Sequence, residues 1–259
     1  MRLELAAADA RHPAARPGSP PALRRVDLVV EAGEQVAIIG PSGAGKTSLL
    51  QLAAAALKPA AGAVRLDGAD PWQLPGPARQ RLRGRLFLAP QTPPLPPRQR
   101  VVTAVLAGRL PGIGLWESLR SLFYPTDIEG AWRALEHFDL ADKLFERVDR
   151  LSGGARQRVG LARTLLAPAS LWLIDEPLSA LDPTRARQAI NALALAAEER
   201  GATVVATLHQ VEVALDLFPR IVGLRDGRVA FDLPRAEVSD ELLRRLYALQ
   251  CVTDRHEQC

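Results

Sequence analysis

The sequence predicts an α/β fold with a mainly parallel sheet, and three observations carry that prediction. First, the apolar, β-branched run Gln35-Val-Ala-Ile-Ile39 leads into Gly40-Pro41-Ser42-Gly43-Ala44-Gly45-Lys46-Thr47-Ser48, and a Leu- and Ala-rich stretch from Leu49 to Leu57 follows. That succession reads as buried strand, glycine loop and helix. Second, Leu171-Trp-Leu-Ile174 is another apolar strand, ending at the acidic pair Asp175-Glu176. Third, short strands alternate with helical stretches along the chain, the pattern of a parallel sheet covered by helices.

In chain order, an N-terminal β part comes first. Leu3-Glu-Leu alternates, a Pro/Ala/Arg-rich loop spans 11–21, and a strand resumes from Leu23 to Val30. Glu31-Ala-Gly-Glu34 turns the chain into the strand before the glycine loop. Ala63 to Gly68 reads as a strand ending in a turn, and residues 77–85, with Arg79, Arg81, Arg83 and Arg85, as an exposed helix face. Leu86-Phe-Leu-Ala is a short buried strand; the five prolines between Pro90 and Pro97 forbid regular structure after it. From about 101 to 147 the pattern is helical: Val101 to Leu110, a break at Pro111-Gly-Ile-Gly114, Trp116 to Phe123, then Asp127 to Phe138. This stretch reads as a helical insert lying apart from the sheet, part of a helical subdomain of about 100–165 within one domain of 1–259. Residues 151–167 form a second glycine loop and its helix, 184–200 a helix, and Thr203 to Thr207 a strand. A hairpin turning at Arg225-Asp-Gly227 and an amphipathic helix over 238–250 close the chain.

Composition removes several function classes. At 259 residues, with 47% hydrophobic and 24% charged residues, the chain is an ordinary globular protein. No apolar run approaches the roughly 18 residues of a membrane span. Glu4 and Asp9 interrupt the apolar core that a signal peptide needs, so no secretion is expected. Cys251 and Cys259 both lie in the tail, which is no disulfide framework and suits a reducing cytosol. The net charge of +4 arises from a mixed surface of 33 basic and 29 acidic residues. No Lys/Arg run with interleaved aromatics exists, so no nucleic-acid partner is expected.

The chemistry concentrates in three places. Gly40, Gly45, Lys46 and Thr47 occupy the fixed positions of G-x-x-x-x-G-K-[ST]. A triphosphate needs many donors at close range; glycines let backbone N–H groups approach it, and the helix N-terminus adds partial positive charge. Lys46 is expected to reach the β- and γ-phosphates and Thr47 to ligate Mg²⁺. Asp175, at a strand's C-terminal end, can join the Mg²⁺ shell. Glu176 points elsewhere and can take a proton from an attacking water. Leu151-Ser152-Gly153-Gly154 places Ser152 and two glycines at a helix start, an anion-binding nest.

With these motifs in this order the chain resembles the ATP-binding-cassette family. The resemblance covers roughly residues 20–230 and implies a phosphate-loop ATPase that works as a head-to-tail dimer. In it, the Ser152-Gly153-Gly154 loop of one copy touches the γ-phosphate of ATP held by the other's phosphate loop. It also implies that Gln91 meets Mg²⁺ or water, that Asp182 in Ser179-Ala-Leu-Asp182 lies at the dimer interface, and that His209 is a switch residue near the γ-phosphate. Where the family has Gln after the two glycines this chain has Ala155; backbone donors survive the change. The family's adenine-stacking aromatic has no counterpart before the phosphate loop, leaving His12 as the nearest planar group. Beside the readings of an importer ATPase for phosphate, phosphite or another solute, or a soluble non-transport cassette ATPase, the helical insert's Val105-Leu-Ala-Gly-Arg-Leu110, Trp116-Glu-Ser-Leu, Phe123-Tyr-Pro-Thr-Asp127 and Leu140-Ala-Asp-Lys143 resemble the ATPase subunits of phosphonate importers. That implies two transmembrane permease subunits, an extracytoplasmic solute-binding protein, and a peripheral place on the cytoplasmic face of the membrane.

Overall fold

The computed structural model describes residues 1–11, 20–123, 126–178 and 181–248. The expectations for His12, Tyr124, Ser179 and the cysteine-bearing tail lie outside the described residues. Strands β1 (Leu3–Ala10) and β2 (Leu23–Val30) pair antiparallel, and β1 also pairs antiparallel with β4, giving a three-stranded sheet of order β2-β1-β4. Between them in sequence run β3 (Gln35–Ile39), the glycine loop and α1 (Lys46–Ala53), with β4 spanning Ala61–Leu66. Then come α2 (Gly76–Arg83), β5 (Leu86–Ala89), α3 (Val101–Leu106), α4 (Leu115–Phe123), α5 (Ile128–Glu136) and α6 (Gly153–Leu166). The chain continues through β6 (Leu171–Asp175), α7 (Pro183–Arg200), β7 (Thr203–Thr207), α8 (Val211–Leu217), β8 (Arg220–Arg225), β9 (Arg228–Pro234) and α9 (Asp240–Tyr247).

The main sheet has the order β5-β6-β7-β3-β8-β9. Every pairing in it is parallel except the β8–β9 hairpin. Its central strands β6, β7 and β3 are buried on both faces because both are covered. The two-residue period still sorts the side chains. Val36 and Ile38 of β3, with Leu171 and Leu173 of β6, join a core shared with α1 and the antiparallel sheet. Ala37 and Ile39, with Trp172 and Ile174, face the opposite core, under the helices.

That second core is continuous with the helical insert. Val101 and Val105 of α3, Leu135 of α5 and Leu161 and Leu165 of α6 belong to the same buried cluster as Trp172. Helices α3 and α5 pack on α6, and α6 in turn meets β5, so the apolar cluster runs from the insert to the sheet through α6. Helix α1 starts earlier and stops earlier than the Leu49–Leu57 run suggests. Gly45 is left-handed just before it, and Ala55, at φ 50, bends the chain away after it, its carbonyl accepting from the Arg83 guanidinium. Helix α8 is absent from the sequence reading because it is only seven residues long and ends just before Pro219.

Asp127 starts α5 as its N-cap, its carboxylate accepting from the Gly130 backbone N–H at 2.9 Å and pairing with Arg109 at 2.5 Å. Asp127→Ala should lower stability by about 1 kcal/mol, the usual worth of such a cap. The check is a lower urea midpoint with an unchanged slope.

Candidate functional site

The strand order puts the C-terminal ends of β6, β7 and β3 side by side, the position where open α/β sheets bind ligands. From these ends come Asp175 and Glu176, then His209, then the glycine loop. Two positions in the loop admit glycine alone. At Gly40 (φ 154) an added Cβ would sit 2.0 Å from the Leu224 carbonyl oxygen, and at Gly45 (φ 104) 2.6 Å from that of Ala22. The loop thus wraps tightly onto the β8 backbone and the residue leading into β2 and opens its other side. The cleft on that side holds about 520 Å³ and is lined by Ala22, Ser42, Gly43, Ala44, Gly45, Lys46, Thr47, Ser48, Gln91, Glu176 and His209. Gly40 and Pro41 are not in this lining. Their carbonyls instead accept from Lys46 Nζ, at 2.9 and 3.2 Å. Burial lowers the Lys46 pKa below the ordinary lysine value, a pull opposed by the charges of Glu176 and Asp175.

Glu176 is the hub of the cleft. Its Oε2 accepts from Gln91 Nε2 at 2.9 Å, its Oε1 lies 2.6 Å from His209 Nε2, and Lys46 Nζ is 3.8 Å from Oε1. Its backbone is left-handed, at φ 46, a conformation rare outside glycine. Thr207, at the end of β7, fixes that peptide by accepting the Glu176 N–H at both its carbonyl oxygen (3.2 Å) and its hydroxyl (2.9 Å). The same hydroxyl donates to Asp175 Oδ1 at 2.7 Å. Asp175 is buried and lies beneath the cleft rather than in its wall.

The structure brings together Lys46, Thr47, Gln91, Glu176 and His209, with Asp175 below them. Ser152, Gly153, Gly154 and Asp182 do not line this cleft in the same chain. Ser152 caps α6, its hydroxyl accepting from the Ala155 N–H at 3.2 Å. Asp182 caps α7 by accepting from the Arg185 N–H at 3.0 Å. That amide, before any other influence, holds its carboxyl below the ordinary range. Gly153 instead borders a second groove of about 560 Å³ with Gln91, Thr92, Pro93, Leu95, Arg156 and Gln157. Sequence reading missed Thr207 and Gln157, both buried polar residues of the site. A threonine closing an apolar strand was the available signal for the first; the second had none beyond its helix.

Among the described residues no group of three His, Cys, Asp or Glu side chains forms a metal cluster, and no helix is long and apolar enough to cross a membrane. A glycine loop and an acidic strand end on one edge of a parallel sheet, with a second glycine loop displaced onto inserted helices, define a cassette-type nucleotide-binding fold. The profile of the ABC transporter family matches residues 23–179, and the chain belongs to that family. It is 70% identical over 248 residues to the Phosphonates import ATP-binding protein PhnC 2 of Albidiferax ferrireducens, covering 96% of this chain and 90% of that protein. It is 66% identical over 248 residues to the Phosphonates import ATP-binding protein PhnC of a Polaromonas species, with the same coverage of 96% and 90%. Among solved structures it resembles a dimeric ATP-binding cassette in a post-hydrolysis state bound to ADP and Pi. The TM-score is 0.77 at 26% identity, over 90% of this chain and 98% of that one.

Proposed function

We propose that this chain is the ATP-hydrolysing subunit of an ABC importer that takes up phosphonate or a related oxyanion. The observation that carries the ATPase reading is the Glu176 carboxylate, gathered with Gln91, His209 and Lys46 at the mouth of the glycine-loop cleft. The cargo rests on the likeness to relatives named for phosphonate import, since this subunit energises transport and does not bind the solute.

The phosphates of ATP lie along the backbone of residues 40–48. Lys46 leaves the Gly40 and Pro41 carbonyls to meet the β- and γ-phosphates. Glu176 accepts a proton from the water that attacks the γ-phosphorus in line, and ADP departs from the opposite side. His209 and Lys46 hold the charge spread over the γ-oxygens. Oxygen donors suit a hard cation: Thr47 and Gln91 from the cleft, with Asp175 from below, would hold Mg²⁺, which neutralises phosphate charge when bound.

The working unit is a homodimer with two ATP at its interface. Ser152, Gly153 and Gly154 of one copy close on the nucleotide of the other, and Asp182 lies at the seam. The absence of Ser152, Gly153 and Gly154 from the lining of their own chain's Lys46 cleft supports this, as does the dimeric form of the cassette it resembles. The chain acts as one cassette, 1–259, with a helical subdomain of about 100–165 toward two transmembrane permease subunits. It sits peripherally on the cytoplasmic face of the membrane, and an extracytoplasmic solute-binding protein delivers the cargo. The test is ATPase activity of the reconstituted transporter. A phosphonate-loaded binding protein should stimulate it several-fold, whereas stimulation by a different solute alone would reassign the cargo.

A further inference from the structure

Gln157 lies one turn into α6, the helix that the Leu151-Ser152-Gly153-Gly154 loop opens. It is 4% exposed. Its Nε2 donates to the backbone carbonyl of Glu176 at 3.0 Å. On the other side of the same residue, the Glu176 N–H is held by Thr207. Glu176 thus has its left-handed peptide pinned at both ends, by a strand residue and by a helix residue. A left-handed glutamate persists only where its surroundings over-determine it.

We propose that Gln157 is a positioning residue for Glu176. It sets the direction in which the carboxylate meets the attacking water, and it ties that direction to the position of α6. This deepens the ATPase reading above and rests on it. It also has a consequence for the dimer. The first turn of α6 touches the partner's nucleotide, while Gln157, four residues after Gly153, steers the base that serves this chain's own nucleotide. A shift of α6 on the partner's ATP therefore reaches Glu176 through one hydrogen bond.

Two variants test this in the full-length protein, with ATP as ligand. Gln157→Met keeps the length and removes the donor. Turnover should fall about 10- to 100-fold, the penalty of misaimed reacting groups, with ATP affinity within about twofold of wild type on the same scale of reasoning. Gln157→Glu keeps the shape and, when ionised, points an acceptor at the Glu176 carbonyl. Protonation restores an O–H donor, and burial raises the pH at which a carboxyl protonates. Its turnover relative to wild type should therefore climb as pH falls, while the Gln157→Met ratio stays flat. This pH recovery is read within one folded variant even if Gln157→Met fails to fold, and a pH-independent urea midpoint for Gln157→Glu separates positioning from the destabilisation a buried ionised carboxylate causes; a recovery that tracks the urea midpoint overturns the proposal. The proposal is overturned by wild-type turnover in Gln157→Met, by equal losses of turnover and ATP affinity, or by a pH-independent ratio for Gln157→Glu. A wild-type protein that hydrolyses no ATP would overturn the underlying ATPase reading instead, so the two failures are distinct.

Discussion

Glu176→Gln should hydrolyse ATP about 10³-fold more slowly than wild type, the scale of a lost general base, while still binding it. The amide has the carboxylate's shape, so the contacts around it persist in altered form. An amide oxygen can accept from Gln91 Nε2, now 2.9 Å from Oε2, and the peptide stays pinned by Thr207. What disappears is the basic lone pair. The change also removes a negative charge 3.8 Å from Lys46 Nζ. That charge raises the Lys46 pKa against the pull of burial, but the γ-phosphate brings more negative charge to the same ammonium, so affinity should hold. On the proposed mechanism hydrolysis removes the γ-phosphate contacts shared across the dimer, so the variant should accumulate as an ATP-bound dimer. Single-turnover kinetics and gel filtration with ATP check both halves. Turnover at the wild-type rate would remove Glu176 from the role of base, and a strictly monomeric species with ATP bound would refute the ATP-bridged dimer.

Much of this site is legible in sequence because each part is local. Gly40 to Ser48 is one contiguous run, a loop and the first residues of α1, whose geometry follows from glycine positions, and Asp175 is placed by the apolar strand before it. The alternation of Val36 and Ile38 against Ala37 and Ile39 is invisible as a pattern, since both sheet faces are covered and all four are apolar. Its consequence, a buried parallel strand, is nonetheless readable from the unbroken run. The losses are of two physical kinds. Short helices such as α8 carry too few turns for a periodic signal. Contacts such as those of Gln157 and Thr207 with Glu176 join residues 19 and 31 positions apart. Only the packing of α6 and β7 beside β6 makes them neighbours, and no local pattern encodes that.

Lys46→Ala should weaken ATP binding about 10- to 100-fold, the scale of a lost hydrogen bond to a charged group. The Lys46 ammonium is buried and turned back onto its own loop, spanning the Gly40 and Pro41 carbonyls. These two contacts are neutral acceptors for a full charge, so phosphate oxygens compete with them favourably. The exchange costs little reorganisation because Nζ stays within the same turn. Lys46 is protonated below its folded pKa, and burial has lowered that pKa. The lysine-dependent part of ATP affinity is therefore present at low and neutral pH. It fades as pH rises through that lowered value, sooner than for an exposed lysine. The fold responds with the opposite sign: burying the charged ammonium costs stability, and that penalty lifts as pH rises through the lowered pKa. Nucleotide titrations of wild type and Lys46→Ala across neutral to alkaline pH should show the two affinities converging. If they stay parallel, or are equal at neutral pH, Lys46 does not bind the phosphates.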